Sequence, residues 1–328
     1  MAISRAQLAK ELEPGLNALF GLEYDENNEE YKELYSIEDS DRAFEEEVLV
    51  VGFGAAPVKE EGAGVSFDSA SEGYTARYTH ETVALAFSLT EEAIEDNLYD
   101  QLGRRYTKAL ARSMQHTKEL KGANVLNNAF DSNFAIGDGQ QLISTAHPLA
   151  GGGTARNRAS TMADLNETSL EDNIIDISTF VDDRNLTIAV RPDKLIIPPQ
   201  LTFIADRLLN SPGRVSTSDN DINSIKNQSS MPGGFSVNHY LNDPDAYFIM
   251  TSVNSDGEGL KMFNRTNMET SMEPEFSTGN IRYRARERYS FGVSNWRGVF
   301  GSQGAVSYTH LTLPVSYTHL TLPTTSPV

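Results

Sequence analysis

The sequence predicts an α+β protein, on three observations. From Ile94 to Met114 apolar residues recur every four positions, the period of one helix face. Ahead of that stretch, two β-rich runs, Val48–Phe53 and Tyr74–Phe87, flank a middle rich in Gly, Ala and Ser. Behind it, FSVNHYL, AYFIMT, LKMFNR and IRYRARERYSFGV read as the strands of an α+β lobe.

Residues 1–43 hold a short amphipathic stretch, QLAKELEPGLNALFGL, and then the acid-rich DENNEEYKELYSIEDSD. Large apolar residues are few, so this segment reads as an arm that needs a partner surface. Residues 44–88 read as a long hairpin with a mobile tip. A segment over 89–165 opens with the helix. Ser88 or Thr90 can cap it, and Glu91 and Glu92 suit the positive end of its dipole. The stripe Ile94, Leu98, Leu102, Tyr106, Leu110, Met114 continues weakly through Leu120 to Leu126. Thirty-odd residues at about 1.5 Å each give a rod of roughly 50 Å. Gly103 and Gly122 each weaken it by about 1 kcal/mol relative to Ala, so a bend is expected there. Asp131–Arg158 is loop-like around QLISTAHP.

Residues 166–258 begin with a second amphipathic helix on Leu170, Ile174, Ile177 and Val181. LTIAV and KLIIP follow as short buried-strand patterns. Pro198 or Pro199 starts the helix QLTFIADRLLN, and SPG stops it. Residues 259–305 supply the last strands. From Val306 to Val328 charged residues vanish, and VSYTHLTLP occurs twice without a difference. Two copies of nine residues are too few and too short for a solenoid. Residues 306–328 therefore read as a non-native, adaptor-like repeat, with the natural product expected to stop near Ala305 or to continue into other sequence.

Composition narrows the function. Hydrophobic content of 39% suffices for a core, and no window approaches 18 uninterrupted apolar residues. MAISRAQLAKELEPGL lacks the apolar core of a signal peptide. Zero cysteines exclude disulfides, thiolate metal sites and cysteine nucleophiles. A soluble protein made in a cytoplasm is expected. The net charge of −19 is uneven: residues 1–100 hold 24 acidic and 6 basic side chains. That acidic third opposes nucleic-acid binding and suits either a solvated surface or half of an electrostatic interface.

The motifs that could carry chemistry fail one by one. VLVVGFGAAP at Val48–Pro57 imitates a dinucleotide fingerprint, with Asp68 near the distance for a ribose ligand. Pro57 stands where the third Gly or Ala belongs, and no helix follows. SDNDINSI starts like a calcium loop, but Ser224 and Ser230 occupy the positions that need Gly and Glu. His80, His116, His147 and His239 are scattered. Neither a nucleophile elbow nor a P-loop occurs, so no catalytic, cofactor or metal residue is named. In IRYRARERYSFGV, strand period two puts Arg282, Arg284, Arg286 and Arg288 on one face. Repelling like charges favour an anionic partner, either phosphate or carboxylates of another chain; an ordinary solvated face is the other reading.

Six pieces carry a resemblance: EYKELYSIEDSDRAFEEE, GFGAAPVKEEGAGVSFD, DGQQLISTAHPL, PDKLIIPPQLTFIADRLLNS, HYLNDPDAYFI and RERYSFGVSNWRGVFGS. Their order and spacing over most of residues 1–301 resemble the major capsid protein of tailed bacteriophages, with the Hong Kong 97-type fold, and more narrowly the Mu-like major head subunit. The resemblance implies an N-arm, an E-loop hairpin, a long spine helix, a P-domain sheet and an A-domain. It implies self-assembly of hexamers and pentamers into an icosahedral head around double-stranded DNA, in the host cytoplasm, with a separate scaffolding protein and a portal as partners. It implies no cofactor, no enzyme activity, no membrane and no specific nucleic-acid binding. Arg282, Arg284, Arg286 and Arg288 are then candidate inter-subunit contacts, with Glu45, Glu46 and Glu47 as their acidic counterparts. Lys59 falls at the hairpin tip, where some relatives form an isopeptide cross-link to an Asn; without a placeable Glu and Asn it reads as a loop charge. A carbohydrate-binding or adhesive surface protein and an acidic cytoplasmic hydrolase are the alternatives, the first opposed by a lone tryptophan, Trp296.

Overall fold

The computed structural model describes residues 5–26, 29–95, 99–213, 221–275 and 277–304. The repeated tail and Ala305 lie outside the described residues. In chain order, helix α1 (Arg5–Glu26) and a 3₁₀ turn (Glu30–Glu33) lead to β1 (Ser36–Asp39). Strands β2 (Phe44–Val51), β3 (Ser71–Thr79) and β4 (Glu81–Leu89) precede α2 (Glu91–Glu95) and the long α3 (Tyr99–Asn127). A small ladder, β5 (His147–Pro148) with β6 (Thr154–Ala155), is followed by α4 (Glu167–Ser178), β7 (Pro192–Ile197), α5 (Thr202–Asn210) and α6 (Ser224–Asn227). Then come β8 (Phe235–Val237), β9 (Tyr247–Thr251), α7 (Ser252–Ser255), β10 (Leu260–Pro274), β11 (Ile281–Val293) and β12 (Val299–Ser302).

Two four-stranded sheets organise these elements, ordered β1-β10-β11-β4 and β12-β9-β7-β8. Every residue of β9 is buried, which explains its unbroken apolar run. β11 instead alternates between inward and outward residues over Ile281–Arg288, as period two demands. Thr90 Oγ1 accepts from the Ala93 N–H at 3.4 Å, fulfilling the cap read from the sequence. Asn166 and Ser169 form a reciprocal capping box at the start of α4. The buried face of α3 runs through Thr107, Leu110, Ala111, Met114, Gln115, Lys118, Glu119, Ala123 and Leu126. The four-residue stripe thus holds at Leu110 and Met114, whereas Tyr106 is largely exposed. Gly122 serves close contact, since a Cβ there would lie 3.1 Å from Tyr31 Cβ.

Four expectations change. The N-terminal segment is no free arm: Leu16 and Phe20 of α1 are buried with Leu110, Ala111 and Met114 of α3 and with Tyr283 of β11. Tyr31, Leu34 and Tyr35 enter the main core, and β1 runs parallel to β10. The run Tyr74–Phe87 is two strands, because His80 is buried between Ser40 Oγ and Ser290 Oγ, each 3.0 Å from its ring. The hairpin therefore ends at Thr79, and β4 pairs with β11. LTIAV forms no strand, being the return limb of a turn closed by the Val181–Thr187 bridge. Finally, the strands read as one lobe divide between two sheets, β8 and β9 lying with β7 and β12, and β10 and β11 with β1 and β4.

Docking of α1 on its own chain has a measurable consequence. Phe20 is buried and lies 5.8 Å from the Tyr24 ring and 6.5 Å from that of Tyr283. Phe20→Ala is expected to cost the isolated subunit about 3–5 kcal/mol in urea unfolding. An arm that waits for a neighbour would show no change.

Candidate assembly surface

The hairpin is anchored at its base and bare at its end. Tyr74 Oη donates to Ser294 O at 2.9 Å, and Tyr78 packs edge-on against Phe263 at 4.8 Å. Gly292 makes room for Tyr78, whose Cε1 would be 2.6 Å from any Cβ there. Between β2 and β3 the chain has no regular structure beyond a turn at Glu61–Gly62, where Gly62 takes φ +79°. Val58 is 95% exposed and Phe67 98%, with Phe53 and Val65 mostly exposed beside them. Burying such a side chain is worth about 1.5–3 kcal/mol. This tip gains nothing within the described subunit and gains from any apolar cover. Lys59 is exposed there, adjacent to Glu60 and Glu61.

The arginine row forms as the sequence predicts, on the face opposite α3. Arg282 and Arg284 are exposed, Arg286 and Arg288 partly covered. Across the ladder, Arg282 faces Glu273 and Arg286 faces Glu269 on β10, while Ser88, Ala86, Ala84 and Thr82 face the row from β4. Arg282 also pairs with Glu275 at 2.6 Å. No carboxylate among the described residues pairs with Arg284 or Arg286. The result is a shallow strip with small residues on one side and two open guanidinium groups at its centre.

The three hairpin glutamates divide. Glu45 accepts from Ser40 Oγ at 2.7 Å, and Glu47 accepts from Lys261 and Ser294. Burial opposes the charge on Lys261, but hydrogen bonds to Glu47 and Glu38 outweigh it and raise its pKa. Glu46 is exposed and reaches Arg77 at 3.7 Å. None of the three is joined to the arginine row within the subunit.

On the inner face, Glu287 sits between two arginines in sequence yet points the other way. It lies 3.3 Å from Lys118 Nζ and accepts from Tyr24 Oη at 3.1 Å. Nearby, Glu119 accepts from the Tyr31 N–H at 3.1 Å, while its Oε1 is buried without a partner. Burial pushes the Glu119 carboxyl up to about 7, and the Glu30 and Glu29 charges add to the shift against the backbone N–H bonds. Burial also raises Glu287, against Lys118. This cluster fastens α1 and the 3₁₀ turn to the body.

The comparisons with known proteins identify the family. A family model described as phage capsid protein matches residues 73–302, which spans β3 to β12. The chain belongs to the phage capsid protein family. Among solved structures, it resembles the procapsid protein of bacteriophage JBD30 with a TM-score of 0.52 and 14% identity, covering 93% of this chain and 78% of that one. It resembles the capsid of a native GTA particle (TM-score 0.53, 11% identity, 84% and 90% covered) and that of cyanophage P-SCSP1u (0.53, 10%, 83% and 86%). No match was found among curated proteins. The fold is the Hong Kong 97-type α+β capsid fold, and the chain is a structural capsid protein. In those terms the hairpin is the E-loop, α3 the spine helix, and β1-β10-β11-β4 the P-domain sheet.

Sequence reasoning missed the Lys118–Glu287 pair and the buried Glu119. Position 118 follows Leu110 and Met114 in the same four-residue stripe, so a charged residue there was the available signal. Among the described residues no helix is long and apolar enough to cross a membrane, and no cluster of potential metal ligands occurs.

Glu119 predicts a pH dependence. Its folded carboxyl binds a proton more tightly than the unfolded one, so its contribution to stability is fully present below the ordinary value near 4.5 and is lost as pH rises toward about 7. Thermal melting of the subunit from pH 5 to 8 should show this decline, and Glu119→Gln should flatten it. An unchanged slope in the variant would show that another group governs it.

Proposed function

We propose that this capsid protein is the major head subunit of a tailed phage, building the icosahedral shell that encloses double-stranded DNA. The observation that supports it best is the division of labour in one chain: a body that buries its own core, and an E-loop tip whose Val58 and Phe67 have no cover. Copies of the same chain supply that cover, as hexamers and pentamers assembling in the host cytoplasm. A scaffolding protein and a portal act with it, as in the Mu-like branch that the sequence resembles. The subunit works without catalysis or cofactor, and Lys59 serves as a loop charge rather than a cross-link.

The arginine row is the charged part of the same interface. Arg284 and Arg286 meet carboxylates of a neighbouring copy, with Arg282 and Arg288 at the ends of the strip. Arginine suits this role because its fork can hold a carboxylate through two bonds. Of the three hairpin acids, Glu45 and Glu47 are held inside their own subunit, which leaves Glu46, with Glu60 and Glu61 at the tip, to cross the boundary. Each exposed pair is worth only about 0–1 kcal/mol, but the contact repeats at every boundary of a closed shell.

Negative-stain microscopy tests the reading. Purified protein is expected to form shells, tubes or hexameric rings; discrete small particles under all conditions would contradict it. Reversing Arg284 and Arg286 to Glu is expected to leave subunit melting unchanged and abolish particles, with partial rescue by Glu46→Lys. Normal particles from the double reversal, or a loss confined to DNA affinity, would remove the arginine row from the interface.

A further inference from the structure

Asp68, which imitates a ribose ligand in the sequence, has a different task in the fold. Its Oδ2 accepts from the Gly54 N–H at 2.8 Å, joining the outgoing and returning limbs of the E-loop. Its Oδ1 accepts from the Ser69 N–H, also at 2.8 Å. Arg184 then reaches both: Nη1 lies 3.4 Å from each Asp68 oxygen, and Nη2 donates to Ser69 O at 2.5 Å. The two backbone N–H bonds, with Arg184 assisting, hold the Asp68 carboxyl below its ordinary range, so it stays charged. Among the described residues, every side-chain hydrogen bond from Gly52–Ala70 to the body comes from Arg184.

The residue behind this contact cannot swing freely. Asp182 Oδ1 accepts from the Arg184 N–H at 2.8 Å and from the Leu186 N–H at 2.7 Å, and Asn185 completes the turn at φ 64°. Asp183 O takes the Gly151 N–H at 2.6 Å. From beneath, buried Arg297 donates to Val181 O at 2.8 Å, pairs with Asp183 at 3.3 Å, and stacks 4.3 Å over Trp296. The arginine therefore projects from a mount tied into the core.

We propose that Arg184 is the positioning residue of the E-loop, holding Asp68 where that carboxylate ties the two limbs together and so fixing the direction in which the tip leaves the subunit toward a neighbouring copy. The last step rests on the shell-subunit reading; the clasp itself belongs to the isolated chain. Leverage makes the direction matter. Six extended residues beyond the clasp reach roughly 20 Å, so a swing of about 20° would displace the tip by roughly 7 Å. Apolar side chains placed that far from a receiving surface lose their contacts altogether. Lysine cannot replace this arginine, because one ammonium lacks the fork that spans a carboxylate and a carbonyl together.

The sequence has no cysteine, so spin labels can be placed uniquely, at Ser66→Cys beside the clasp and at Ile175→Cys, an exposed position of α4. Distances are read by pulsed electron resonance on dilute, unassembled subunit. A narrow distribution is expected for the labelled parent, and its loss for Arg184→Ala and for Asp68→Asn, with melting temperature unchanged. A narrow distribution retained in Arg184→Ala, or a broad one in the parent, would overturn the clasp. Should Arg184→Ala disturb its own turn, Asp68→Asn decides, since it lies on the E-loop and leaves the turn intact; a retained narrow peak there overturns the proposal. Because the reading needs no particles, it separates failure of the clasp from failure of the shell assignment.

Discussion

Loops from three parts of this subunit meet at one buried stack on Trp296. The His147 ring lies parallel to the indole, 4.4 Å away with 2° between planes, and Arg297 stacks on the indole as well. Asp138 Oδ2 meets His147 Nδ1 at 2.5 Å, and Asn157 Oδ1 meets Nε2 at 3.1 Å. The Asn157 amide donates to Leu142, Trp296 and Val299 carbonyls, while Arg297 holds Val181 O and Asp183. Three excursions of chain thus bring polar side chains together at one place, where the Trp296 indole N–H is itself buried without a partner. Because an orphaned buried group costs about 1–3 kcal/mol, removing one member strands its partners as well. The same stack steadies the end of β11, where Tyr74 and Tyr78 of the E-loop find Ser294.

From that point the division between rigid body and projecting tip follows. The sheets and α3 bury apolar faces against each other, and α1 closes over them. The E-loop takes firm purchase on the body through β3 and through Arg184, and beyond those contacts it is backbone and bare apolar side chains. A subunit with a net charge of −18 in residues 1–100 is kept from casual association by repulsion. In the proposed interface, specific contact supplies cover for Phe67 and counter-charge for the arginine strip together.

How much of this was legible depended on whether a residue obeys the period of its element. The long helix and the outward arginines could be read because Leu110, Met114, Arg282, Arg284 and Arg286 fall on simple periods. Lys118 showed its burial only through its place in the stripe of Leu110 and Met114, and Glu119 and Glu287 were not read as core residues, since the groups that bury them are distant in sequence. The N-terminal segment looked too polar to dock because its anchors, Leu16, Phe20, Tyr31 and Leu34, are few and widely spaced. His80 hid the end of the hairpin within an otherwise continuous β pattern. Asp68 was noticed for its spacing, but the spacing served a hairpin and not a nucleotide. The resemblance named the hairpin and the arginine row as candidate contacts, whereas the pairing of Glu45 and Glu47 inside their own subunit needed the geometry.

In the proposed shell, the E-loop tip is completed by another copy of the chain. Amide hydrogen exchange across Ala55–Gly64, compared between free subunit and assembled particles, tests it most directly. Fast exchange is expected in the free subunit and strong protection in the particle, with the β9 and β7 amides protected in both. Equal exchange of Ala55–Gly64 in the two states would contradict it.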